Sequence, residues 1–177
     1  KIRIAGAPAV DEIFYRLSYH DSVLFGPLIL LVVLISTLVV FRRWTAILVP
    51  LAVVLLAQCW TFGVMVSLGI KFTVVSGALL TVILAIGVAD SIHVLAEFFQ
   101  HTRGGLSREE AALESTSELL VPCFFTSITT IAGMLALLSS DLGPIREFGI
   151  MAAFGVGTAF FLSMTVGPIL LLLVRAP

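Results

Sequence analysis

The chain is patterned as long apolar runs separated by short polar punctuation. The runs are Val23–Phe41, Thr45–Leu68, Phe72–Phe99, Leu119–Leu138 and Phe148–Val174. A helix rising about 1.5 Å per residue needs roughly 20 apolar residues to cross a hydrocarbon layer of about 30 Å, and each run is of that order. The pattern predicts an all-α fold, a polytopic membrane bundle of five transmembrane helices. Residues 1–22 read differently. The stretch KIRIAG alternates polar and apolar positions as a short strand does, and PAVDEIFYRLSYHDS reads as an amphipathic helix entering the bilayer or as a disordered terminus. Residues 1–22 are therefore expected to be the end of a soluble domain with a lead-in helix. Residues 23–177 are expected to be the five-helix transmembrane domain.

Composition agrees. Of 177 residues, 59% are hydrophobic and only 12% charged. The mean hydropathy is +1.15. A soluble domain of this size has to cover its surface with more polar residues than that. The opening lacks both Met and a signal-peptide pattern, and the chain stops directly behind an apolar run, so a piece of a longer protein is expected. A net charge of −1 supplies no basic surface for nucleic acid. Cys59 and Cys123 lie in apolar runs without metal-ligand spacing and read as packing residues.

The connections vary in character. FRRW is tight and basic, GIKF is short, and SSDLGPIRE is a Gly/Pro turn. The stretch 100–118 is long and charged, with Ser107 and Glu110 spaced as the capping box of a short surface helix. The positive-inside rule, applied to the short loops, places Arg42, Arg43, Arg103, Arg108 and Arg175 in the cytoplasm and the N-terminal segment outside, although the basic residues divide evenly overall. The last run carries small residues at every fourth position, Gly149, Ala153 and Gly157, and a second ridge of Gly155, Ala159, Ser163 and Gly167. Such spacing lets helix backbones approach closely in lipid, so these residues read as helix packing. Gly167-Pro168 is expected to bend that helix. No internal repeat is visible.

One run breaks the apolar rule. Phe72–Phe99 contains Asp90, His93 and Glu97. Glu97 lies near the end, where it can reach the interface, but Asp90 lies deeper. A carboxylate at mid-bilayer costs about 2.5–3.5 kcal/mol on insertion scales, which makes it a functional group by default. The chemistry it offers is uptake and release of a proton; the structural alternative is a hydrogen bond that assembles two helices. Helical geometry puts Gly87, Asp90, His93, Val94 and Glu97 on one face, with Gly87 leaving room for a helix or water. His93 either passes protons to Asp90 or caps a hydrogen bond near the interface. It has no second His or Cys at ligand spacing, so no metal and no cofactor is expected. Thr126, Thr129, Thr130 and Gly133 share a face of the next helix, and their hydroxyls bond either to Asp90 and water or to their own helix. A second intramembrane aspartate, which aspartyl proteolysis requires, is absent from the sequence, and no enzyme activity is expected.

GVADSIHVLAEF, followed by SREEAALESTSELLVPCFFTSITTIAGMLALLSSDLGPIREFGIMAAFGV, resembles the resistance–nodulation–division (RND) superfamily, and in particular its MMPL-type exporters, relatives of Patched and of the sterol-sensing domain. FRRWTAILVPLAVVLLAQCWTFGVMVSLGI resembles the second and third spans of the same family. The likeness covers nearly the whole chain. It implies spans two to six of one half of a two-half exporter of lipids or hydrophobic compounds in the bacterial inner membrane, preceded by the end of an extracytoplasmic porter domain. It also implies membrane lipids, protons, the second half of the same polypeptide and a homo-oligomer as partners. The family's acidic residue of proton coupling falls on Asp90. Some relatives have two adjacent acidic residues there, whereas this chain has Asp90-Ser91, so a pairing partner is expected from the other half. The competing reading is a sterol-sensing-type module that binds lipid or regulates a partner.

Overall fold

The computed structural model describes residues 45–70, 73 and 75–173, with scattered positions between 16 and 42. Four long helices follow one another: α1 (Thr45–Ser67), α2 (Ser76–Arg103), α3 (Arg108–Leu135) and α4 (Gly143–Leu171), with a short 3-10 turn at Ala136–Ser139 before the last. All four are long and apolar enough to cross a membrane. The described positions between Val23 and Val39 are helical as well, in keeping with the first apolar run. No strand occurs among the described residues, so the chain is all-α. The strand and helix expected over residues 1–22 lie outside the described residues, apart from Arg16, which is helical.

The chain reverses on glycine between α1 and α2 and again between α2 and α3. Beyond α1, Gly69 adopts φ 69°, the Gly69 N–H donates to the Val66 carbonyl and the Ile70 N–H to the Met65 carbonyl. Beyond α2, Gly105 adopts φ 96°, with Gly105 donating to Thr102 and Leu106 to His101. Both are Schellman closures, in which a left-handed residue without a Cβ lets the last carbonyls find donors.

The polar stretch before the fourth apolar run folds differently from the expectation of a separate surface helix. Ser107 and Glu110 do form the capping box, with the Ser107 N–H donating to Glu110 Oε2 at 3.0 Å and the Glu110 N–H to Ser107 Oγ at 3.3 Å. The helix they start then continues through Pro122 to Leu135. Arg-Glu-Glu-Ala-Ala are good helix formers with acids at the positive end of the dipole, so nothing stops the turn before the apolar run begins. Gly167-Pro168 likewise lies within α4, which reaches Leu171.

The small-residue ridges explain the packing of α4, which contacts α1, α2 and α3. A Cβ on Gly149 would stand 2.6 Å from the Met134 carbonyl oxygen and 3.0 Å from Leu137 Cβ. One on Gly155 would meet Ile83 Cδ1 at 2.5 Å. Gly157 is freer, with Ile131 Cδ1 at 3.7 Å. Ala153 is buried between them. By contrast α3 sits at the margin, with Leu113, Val121 and Phe125 turned outward and only Ala111, Ala112, Ser115, Cys123 and Ser127 buried. Gly149→Val is therefore expected to destabilise the full-length protein by about 1–3 kcal/mol, since backbone has to move. Gly157→Ala is expected to stay within about 0.5 kcal/mol. Unfolding of purified protein in detergent distinguishes the two.

Candidate functional site: a carboxyl-bearing cavity between α2 and α3

Asp90 lies near the middle of α2 and is 6% exposed. It opens into a cavity of about 460 Å³ between α2 and α3. Ala85, Ile86, Ala89, Asp90 and His93 form one wall, and Leu119, Pro122, Cys123, Thr126, Ser127 and Thr130 the other. Three-and-four spacing on each helix turns these positions to a common side. The lining is apolar except for a few convergent groups, the composition of a binding or relay site more than of a packed core.

Two of those groups are conspicuous. Asp90 Oδ2 and Ser127 Oγ are both buried, and neither finds a hydrogen-bond partner among the described residues. Buried polar atoms are paired in the great majority of proteins, by protein or by ordered water. A space of this size holds several waters at about 30 Å³ each. The thiol of Cys123 stands beside the Asp90 carboxyl, on the same cavity wall as Ser127.

The residues singled out in the sequence divide among different surroundings. Asp90 and His93 both line the cavity, His93 at its exposed side. Gly87 belongs instead to helix packing: a Cβ there would stand 3.1 Å from Val54 Cγ2 and 3.5 Å from Ala159 Cβ. Ser91 faces α4, donating to the Gly87 carbonyl at 2.7 Å and lying 3.3 Å from Ser163 Oγ. Thr126 and Thr130 line the cavity, yet each hydroxyl donates to its own helix, Thr126 to Cys123 O at 3.0 Å and Thr130 to Thr126 O at 2.8 Å. Thr129 donates to Phe125 O and Thr126 O at 2.9 Å and is exposed, outside the lining. Cys59 is exposed and Cys123 buried, so only the second behaves as a packing residue.

Ser127 and Cys123 also line the cavity. The Thr126–Thr129–Thr130–Gly133 face overlaps that lining only at Thr126 and Thr130. A stripe of Leu119, Cys123, Thr126, Ser127 and Thr130 was available at equal helical spacing, and the cysteine hid it by looking like core.

These features define an integral membrane bundle with a carboxyl-bearing cavity between two of its spanning helices. Comparison with known proteins places it more narrowly. The MMPL family pattern matches residues 1–176, and the chain belongs to that family. It is 25% identical over 168 residues to a membrane protein of Methanocaldococcus jannaschii, covering 95% of this chain and 43% of the relative. It is 31% identical over 132 residues to the multidrug resistance protein MdtC of Proteus mirabilis, covering 73% of this chain and 13% of that protein. The corresponding protein of Escherichia coli is 30% identical over 139 residues, covering 75% and 14%. The chain thus spans less than half the length of these relatives.

The pair Ser91–Ser163 is a link between α2 and α4 beside Asp90. A double-mutant cycle with Ser91→Ala and Ser163→Ala is expected to give a coupling of about 0.6 kcal/mol, the usual size of such bonds inside membranes. Chemical unfolding in bicelles measures it.

Proposed function

We propose that this chain is the membrane half of an RND-type exporter of lipids or hydrophobic compounds, driven by the proton-motive force, with Asp90 as the group that takes up and releases the proton. The observation that carries this reading is the buried Asp90 Oδ2, without a hydrogen-bond partner among the described residues and facing a cavity large enough for water. A carboxyl group placed only to assemble helices would spend both oxygens on a neighbouring helix, because each unmet bond costs stability in a dry interior. His93, at the exposed side, is the residue through which protons reach the cavity, and Ser127 orients the water between. Changing the charge of Asp90 alters its interaction with α3 and biases the packing of the two helices, which is how a proton would be coupled to movement.

The MdtC relatives are named multidrug resistance proteins, a role that export of hydrophobic compounds would serve. An apolar groove of about 560 Å³, lined by Leu31, Leu34, Ile35, Leu38, Ile47, Leu48 and Leu51, fits contact with acyl chains and hence a lipidic substrate. It would equally serve a sterol-sensing-type module, the second reading. In the exporter reading residues 1–22 end the extracytoplasmic domain, residues 23–177 form the transmembrane domain, the second half and a homo-oligomer complete the machine, and no step requires enzyme chemistry.

Two experiments test this. In the full-length protein Asp90→Asn should abolish export while leaving insertion and expression intact, since Asn keeps the size but cannot release a proton. Ser91→Ala, which touches α4 instead of the cavity, should be mild by comparison. Wild-type export by Asp90→Asn under a proton gradient would make the carboxyl structural and favour the sensor. For orientation, a thiol reagent applied from outside should label Asp141→Cys and leave Glu109→Cys untouched; the reverse pattern inverts the proposed topology.

A further inference from the structure

Where α2 emerges from the apolar layer, three ligating side chains converge that the proton pathway does not use. Glu97 and His101 stand one turn apart on α2, the spacing that brings two side chains to one face. Glu118 reaches them from α3, its Oε2 3.0 Å from His101 Nε2. One ligating atom from each of Glu97, His101 and Glu118 can be chosen so that all three lie within 4.8 Å of one another. Around a tetrahedral ion with bonds of about 2.1 Å the donors stand about 3.4 Å apart, a contraction that small side-chain rotations supply.

We propose that Glu97, His101 and Glu118 form a binding site for a divalent transition-metal ion of the zinc type, with its remaining position open to solvent. The donor set argues for that class. One imidazole nitrogen with two carboxylate oxygens suits zinc and its neighbours, whereas magnesium and calcium take oxygen ligands in larger number. Access is open on one side, since the His101 side chain is 18% exposed and that of Glu118 49%. The frame is rigid. The Gly105 closure at the end of α2 and the Ser107 capping box at the start of α3 fix the hairpin that carries all three ligands.

An ordinary ion pair between His101 and Glu118 is the plainer explanation, but it accounts for two of the three groups. It leaves Glu97, the third side chain of the cluster, unaccounted for. A dication would engage all three. Bound there, the ion would tie α2 to α3 below the cavity, about 10–16 Å along the helix from Asp90. It would hold the two cavity walls at one spacing. The binding itself does not depend on the proton reading.

The test uses the full-length protein in nanodiscs, stripped with chelator and titrated with Zn²⁺ against a competing fluorescent chelator. Co²⁺ serves as a second probe, because its visible spectrum reports nitrogen–oxygen coordination. Wild type is expected to show binding equivalents that excess Mg²⁺ does not displace and a melting temperature that rises with Zn²⁺. Glu97→Gln, His101→Asn and Glu118→Gln should each weaken one equivalent by about tenfold or more, on the scale of disturbing a metal site. Each should also lose the Zn²⁺-dependent rise while melting near wild type without metal. Glu114→Gln, exposed one turn before Glu118 on α3, should change neither. Zn²⁺ affinity unaltered by His101→Asn would overturn the proposal. So would an equal loss in Glu114→Gln, which would mark a diffuse acidic surface.

Discussion

A carboxyl group inside a helix that must cross hydrocarbon imposes the constraint around which this bundle is arranged. Insertion of such a group costs about 2.5–3.5 kcal/mol, and the expense is tolerable only where protein or water meets the charge. The bundle answers by keeping Asp90 away from its outer surface, on the α2 wall of a cavity whose other wall is the least buried helix of the four. The opposite side of α2 is closely packed. Gly87 lets α1 and α4 close on the turn preceding Asp90, and Ser91 pairs with Ser163 on the turn that follows.

The contrast between α4 and α3 follows from the same need. Lipid tails are as apolar as Leu, so helices in a membrane cohere through close contact and interhelical hydrogen bonds more than through hydrophobic drive. Gly149 and Gly155 permit that contact, and α4 occupies the centre. On α3 few residues are buried, and its junction with α2 encloses the cavity. Close packing against α4 holds one side of α2, and the cavity leaves space beside the carboxyl on the other.

Much of this was legible in the sequence, because the period of apolar residues and the cost of a buried charge are local properties. The spans, the small-residue ridge of α4 and the capping box at Ser107 could be read from spacing. What could not be read was which side of a helix meets which neighbour. Asp90 and Gly87 share a face by helical arithmetic, yet Gly87 packs on α1 and α4 while Asp90 opens towards α3. The same limitation favoured Thr129, which lies outside, over Ser127, which lies within. The long helix α3 was cut in two because a change from polar to apolar composition resembles a boundary, although backbone hydrogen bonding does not respond to it. Glu118 joins Glu97 and His101 only through the α2–α3 hairpin, so no spacing along one helix could have shown the three together.

Water reaching the Asp90 carboxyl through the α2–α3 cavity is the central requirement of the proposed proton uptake. Infrared difference spectroscopy on the full-length protein at acidic pH reports this directly, since the carbonyl stretch of a protonated carboxyl shifts when its hydrogen is exchanged for deuterium. The account predicts a band, absent from Asp90→Asn, that shifts as soon as the sample is moved into heavy water. A band from Asp90 that stays unshifted for hours would mean a dry, structural carboxyl and would contradict it.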